Sequence, residues 1–307
     1  MRYTLGSAAA VIAFGATFVF AGSVVEAQPI GNPDVFVLAA QTAEEVELIR
    51  EVMGRPYDDS PRLPASDVSE FEVFFQAQTL FRKANQLAQE FAGAERLAPP
   101  ALPQTEVSPS DTHTVIAGAL EQVRSVKDAL GIETQVSPQA PGSSSATGVF
   151  MTIIDTNRQL NFLTGTQITP GDVFDQVTLA VLYSAGILSR YGDTEIPDTP
   201  AFDGHKRPAD VYERLLQCID LLGEIAAQTD VQVLRLSSRR NIPDDIEPHH
   251  VYDIARIAVA GLAVLSAGLD GEDVFPDLET PERVFPTQVY LRAGILMEQL
   301  ERIQSLL

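Results

Sequence analysis

The stretch "ITPGDVF" (168–174) sets a glycine beside a carboxylate, with branched and aromatic residues close behind. Nearly the same phrase returns as "KRPADVY" (206–212), "IEPHHVY" (246–252) and "VFPTQVY" (284–290), and more faintly as "VSPSDTH" (107–113). Its fixed point is a proline, Pro109, Pro170, Pro208, Pro248 or Pro286. Proline suits the first turn of a helix, where its missing N–H would be unpaired anyway. Ser108 or Thr169 stands just before it in two copies, and two residues after it come Asp111, Asp172, Asp210, His250 and Gln288. Ser or Thr followed three positions later by Asp is a capping box, and the acid also sits where the positive end of the helix dipole favours it. The flanking pairs Ile168/Val173, Ile246/Val251 and Val284/Val289 have the spacing of a hydrophobic staple. The phrase therefore reads as punctuation that starts a helix, and its carboxylate is a cap before it is a catalyst.

The register continues well past the start. Counted from Pro208, positions +3, +7, +10, +14, +17 and +21 are Val211, Leu215, Cys218, Leu222, Ile225 and Thr229. From Pro286 they are Val289, Ala293, Leu296, Leu300, Ile303 and Leu307, and the copies at Pro109, Pro170 and Pro248 follow suit. Alternating spacings of four and three lay one apolar stripe along a helix of about twenty residues. The same seam appears without the full phrase at Val35–Met53 and Val149–Leu163, and an apolar helix is expected over about Asp67 to Phe91. The expectation is an all-α protein of about eight long amphipathic helices, in a helical-repeat or tandem helix-bundle arrangement. No credible strand is visible.

Turn-rich connections separate the helices: "GRPYDDSPRLPAS" (54–66), "APPALPQTEVSPS" (98–110) and "DGEDVFPDLETPERVFP" (270–286). The most linker-like stretch, "SPQAPGSSSATG" (137–148), is a possible division of the helical domain, which spans 28–307. Residues 1–27 read as a secretory signal peptide, with Arg2, an apolar run from about Leu5 to Phe20 and a small-residue cleavage site at Val25-Glu26-Ala27. The mature chain would begin at Gln28 and work in the periplasm or outside the cell.

Losing Arg2 and Glu26 leaves 20 Lys/Arg against 41 Asp/Glu, so the formal charge stays at −21. That charge excludes nucleic acid and anionic lipid surfaces as partners. A single cysteine, Cys218, forms no internal disulfide, so stability rests on the apolar core. "ARIAVAGLAVLSAGL" (255–269) is apolar nearly all round, yet short for a membrane span and charged at Arg256; it reads as a central bundle helix, leaving no stable span after signal cleavage.

Two groups of residues invite chemistry. "PDDIEPHHVYD" (243–253) gathers Asp244, Asp245, Glu247, His249, His250 and Asp253, and the four-residue spacing of His249 and Asp253 suits a shared cation on one helix face. His250, however, occupies the capping column. Cys218, with His205 upstream and Asp220 nearby, falls in a column of Ala119, Ala180, Ala258 and Leu296, where a free cysteine is a small hydrophobe. No nucleophile elbow, HExxH, phosphate-binding glycine loop or CxxCH is present. The sequence thus assigns no catalytic, cofactor or metal residue and no cofactor. It points to a non-enzymatic, exported, acidic scaffold or protein-binding module with a protein partner in the cell envelope. The alternative is a divalent-cation-binding or enzymatic bundle using the 243–253 cluster.

Overall fold

The computed structural model describes residues 29–307 apart from 63, 104–105, 139–143, 166–167, 200, 202–203, 238–241, 243–244, 275, 277 and 279. The expected signal segment (1–27), Gln28 and Asp244 of the polar cluster lie outside the described residues. Among those residues are eight α-helices: α1 (Asn32–Met53), α2 (Glu70–Ala92), α3 (Pro109–Ala129), α4 (Ala146–Leu163), α5 (Pro170–Arg190), α6 (Pro208–Ala227), α7 (Pro248–Gly268) and α8 (Pro286–Leu306). The protein is all-α, as its seams require.

The recurring phrase starts five of these helices, and its side chains do the capping. Asp111, Asp172 and Asp210 accept the backbone N–H of the residue three before them, at 2.9, 2.7 and 2.7 Å. His250 Nδ1 and Gln288 Oε1 do the same, at 3.0 and 2.9 Å. Outside the phrase, Asp34 and Glu72 repeat the contact for α1 and α2. The helix expected from Asp67 instead begins at Glu70, because Ser69 is its cap.

The seams are the core. Val211, Leu215, Cys218, Leu222 and Ile225 are each no more than 2% exposed, and the corresponding residues of the other copies are buried as well. The +21 position departs from the pattern. Tyr191 and Leu307 are exposed because α5 ends at Arg190 and α8 at Leu306, so the stripe has no helix left to run along.

Packing sorts the helices into two sets of four. In the first, α1 and α2 each pack against both α3 and α4; in the second, α5 and α6 each pack against both α7 and α8. Each set is a four-helix bundle whose first two helices lie on one diagonal and whose last two lie on the other. The same topology occurs twice in tandem, and residues 164–169 join the two copies. The linker at 137–148 instead connects α3 to α4 inside the first bundle, so the division of the chain falls one helix later than its composition suggests.

Within each bundle the helices all point the same way. Pro170, Pro208, Pro248 and Pro286, each the first residue of its helix, line one small cavity together with Val173, Val211, Val251 and Val289. Cross-helix bonds stay level along the second bundle: Arg214 to the carbonyl of Tyr290 near the start, Cys218 beside the carbonyl of Ala293, and Ser184 to Gln299 further on. In the first bundle Asn32 bonds Glu70 where α1 and α2 begin, and Asn85 bonds Gln122 well along α2 and α3. A helix of 21 residues is about 31 Å long. Every connection inside a bundle must therefore carry the chain back that distance, which accounts for the long, turn-rich stretches of sequence.

The bundles join through α7, which packs against α2 and α4 as well as α5 and α6. It runs antiparallel to α2: Glu72 near the start of α2 lies by Gly261, Thr79 meets Arg256, and Lys83 meets Asp253. On the side of α7 that faces α6, a Cβ at Gly261 would fall 2.7 Å from Leu222 Cδ2, so that side chain would have to move. By length and hydropathy α7 passes for a membrane span, but 72% of its apolar window is buried inside the protein. A further tie, invisible to periodicity because each piece has two residues, is the antiparallel pair β1 (Ala65–Ser66) and β2 (Arg235–Leu236).

Candidate functional site between the bundles

The seams are largely apolar; one buried pair, Glu45 with Lys127, lies inside the first bundle, and a second group of titratable residues gathers where the two bundles meet. Asp58, in the connection after α1, is buried and receives Arg158 of α4, with Nε at 3.3 Å from Oδ2 and Nη2 at 3.1 Å from Oδ1. Arg158 also donates to the carbonyl of Ser60, and Gln159 exchanges two bonds with the Asp58 backbone. Burial pushes the Asp58 carboxyl up, but the Ser60 donors and the Arg158 guanidinium outweigh it and hold the carboxyl below its ordinary value.

His249 and His250 come to this carboxylate from the start of α7. The ligand atoms of Asp58, His249 and His250 lie within 4.8 Å of one another, an arrangement that could hold a metal ion. His249 and Asp253, expected to share a cation, have different partners: His249 Nε2 faces Asp58 Oδ2 at 3.8 Å, whereas Asp253 faces Lys83 at 3.6 Å and Asn161 at 3.4 Å. Glu247 approaches His249 Nδ1 at 3.3 Å. Asp245 is exposed in the connection before α7.

Hydrogen bonding limits what this cluster can do. His250 Nδ1 accepts the Glu247 N–H as the helix cap, so the ring proton of neutral His250 sits on Nε2, which donates to Ser60 Oγ at 2.9 Å. A histidine in that tautomer is no general base for Ser60 and has no free lone pair for a metal. Burial, then the neighbouring His249, lowers the His250 pKa and favours the neutral ring. His249 Nε2 is the exception, buried without a hydrogen-bond partner among the described residues.

Cys218 is a core residue. It is 1% exposed, and burial raises its thiol pKa to about 12, so almost no thiolate exists near neutral pH. Asp220 points outward from the same helix. A thiol reagent is expected to label Cys218 only as the protein unfolds; labelling of the native protein within seconds would show that α6 does not bury this face.

Beside the His–Asp cluster the bundles leave an open cleft of about 810 Å³. Its walls come from α2 (Thr79, Arg82, Lys83, Gln86), from the connection at 96–99, and from Asn161 and Tyr252. Sequence reading missed Asp58, Arg158, Arg82 and Lys83, because each lies off the seam and they meet only through tertiary packing. Arg256 alone left a trace, as the one cation in an apolar run. Compared with family models, with curated proteins and with solved structures, the chain matches none.

Proposed function

We propose that the protein is an exported, acidic helical scaffold that binds a protein partner in the periplasm or outside the cell and makes or breaks no bonds itself. The observation that carries this reading is the engagement of the groups around the Asp58–His250 cluster: His250 caps α7, Asp58 is neutralised by Arg158, and Asp253 faces Lys83. Apolar helix faces are used up in the seams. Long connections remain, among them the stretch between α7 and α8 with Glu272, Asp273 and Glu282 exposed. Helical arrays of this kind offer extended, rigid faces to protein partners.

Crosslinking in the intact cell envelope followed by pull-down tests the proposal. A specific partner is expected, and combining Glu272→Gln, Asp273→Asn and Glu282→Gln should weaken its capture about tenfold, at about 0.5 kcal/mol for each exposed charge. Changing His249 and His250 to Ala should leave capture unchanged. One observation favours a second reading, a divalent-cation bundle: His249 Nε2 is buried and unpartnered, facing Asp58 Oδ2. Failure to recover a partner, together with tight zinc or manganese binding that the two His changes abolish, would replace the scaffold with that reading.

A further inference from the structure

The cleft between the bundles reverses the sign of the rest of the molecule. Among the described residues its lining holds three cations, Arg82, Lys83 and Arg96, and one carboxylate, Asp172, in a chain of formal charge −21. Asp172 is already committed, since its Oδ2 accepts the N–H and hydroxyl of Thr169 as the cap of α5. Lys83 shares Asp253 and the carbonyl of Asn157. Neither Arg82 nor Arg96 has a hydrogen-bond or ion-pair partner among the described residues.

Behind this lining the imbalance deepens. Arg256 is 6% exposed and, among the described residues, has no carboxylate in hydrogen-bond or ion-pair contact; its guanidinium bonds Thr79 Oγ1 and Gln176 Oε1 and lies over the Phe75 ring, with Nε unpartnered. Thr79 itself lines the cleft. Arg82, Lys83 and Arg256 therefore crowd one corner that has Asp253 as its carboxylate. A buried cation short of a counter-charge costs free energy that a bound anion recovers.

Size and reach narrow the occupant. The volume is that of a small-molecule site, and such sites gather at junctions between domains. At physiological salt the acidic surface is screened beyond about 8 Å, so within the cleft the local cations decide, whereas a long polyanion would have to lie along the acidic exterior. Leu97, Ala98 and Pro99 add apolar surface to the lining beside Arg96, and Tyr252 and Asn161 add polar groups.

We propose that the interbundle cleft is a binding site for a small organic oxyanion, a carboxylate or phosphate compound, held by the Arg82 and Arg96 guanidiniums over the Arg256 charge. The site stands independently of the partner-binding reading, because none of its residues belongs to the connection tested there.

Calorimetry of the full mature chain with citrate and with pyrophosphate, at low and at moderate salt, tests it. One equivalent of at least one anion is expected to bind, with affinity falling as salt rises; preference for citrate or pyrophosphate distinguishes a carboxylate from a phosphate occupant. Arg82→Ala and Arg96→Ala, both at exposed side chains, should each weaken binding about tenfold. An unchanged circular dichroism spectrum shows that the variants are folded, and His249→Ala should bind as the parent does. Absence of saturable binding of both anions, or equal affinity in the Arg82→Ala/Arg96→Ala double variant, overturns the proposal.

Discussion

Removing residues 270–282 from the chain is expected to destroy the second bundle, and to do so through length alone. The connection between α7 and α8 runs from 269 to 285, so the deletion leaves four of its seventeen residues. Four residues reach about 14 Å at full extension, less than half of the ~31 Å back to the start of a parallel helix of this length. α8 must then invert or leave. Inversion separates Ser184 from Gln299 and Arg214 from Tyr290, and takes Leu296, Leu300 and Ile303 out of register with the other three seams. Thermal unfolding should lose the cooperative transition of α5–α8. Replacing the same thirteen residues with Gly and Ser of equal number should keep that transition, less a smaller loss from contacts such as the Glu272 N–H to the carbonyl of Gly186 and the packing of Leu278. Were α7 and α8 antiparallel, the short connection would be harmless, so a cooperative melt in the deletion variant would refute the parallel arrangement.

The same geometry explains why the helix starts are so uniform. Four parallel helices bring four positive dipole ends together, which is unfavourable unless negative or accepting groups meet them. Asp172, Asp210, His250 and Gln288 do so at the second bundle, and Asp34, Glu72 and Asp111 at the first. The phrase recurs because the same local problem recurs at the same end of each bundle.

That local origin also sets the limit of what the sequence discloses. Helix starts, seams, the Cys218 environment and the burial of α7 are legible because a cap or a seam depends on neighbours within one helix. The parallel direction is implied by connections of 16 to 20 residues, yet such lengths also suit a repeat array, so they do not settle it. The polar interface is not legible. Asp58 stands in a turn-rich connection 100 residues from Arg158 and nearly 200 from His249, and no spacing rule links them. The cleft depends on α2 crossing α7 in antiparallel fashion, a tertiary choice that neither helix encodes alone. His250 shows both sides: its capping role follows from its column in the alignment of copies, while its bond to Ser60 does not.

Arg158→Met should be the most damaging single substitution at this interface, destabilising the protein by about 3–5 kcal/mol at neutral pH. The side chain of Asp58 is 2% exposed and that of Arg158 10%, so the change strands a carboxylate that solvent cannot reach. It also removes the donor to the carbonyl of Ser60, loosening the α1–α2 connection from α4 and with it the Ser60 hydroxyl beside His250. The other charged groups do not replace the guanidinium. Asp155 is itself a carboxylate, Arg62 is paired with it at 2.7 Å, and His249 stands 3.8 Å from Asp58 Oδ2. The dependence on pH separates a lost ion pair from lost packing. In the parent protein the Asp58 pKa is depressed, so its contribution is present above the unfolded carboxylate value near 3.8 and disappears as pH falls through the folded one. In Arg158→Met burial still pushes the carboxyl up while the guanidinium no longer holds it down, so Asp58 takes up a proton at a higher pH than in the parent. The difference in stability between variant and parent should therefore shrink as pH falls from 7 toward 4. Asp58→Asn combined with Arg158→Met should recover part of the loss at pH 7, because no buried charge remains. Denaturant melts across that range decide the matter: a deficit that stays constant with pH and is not relieved by Asp58→Asn would mean that Arg158 acts through its aliphatic stem alone and that the Asp58 charge is not what it holds in place.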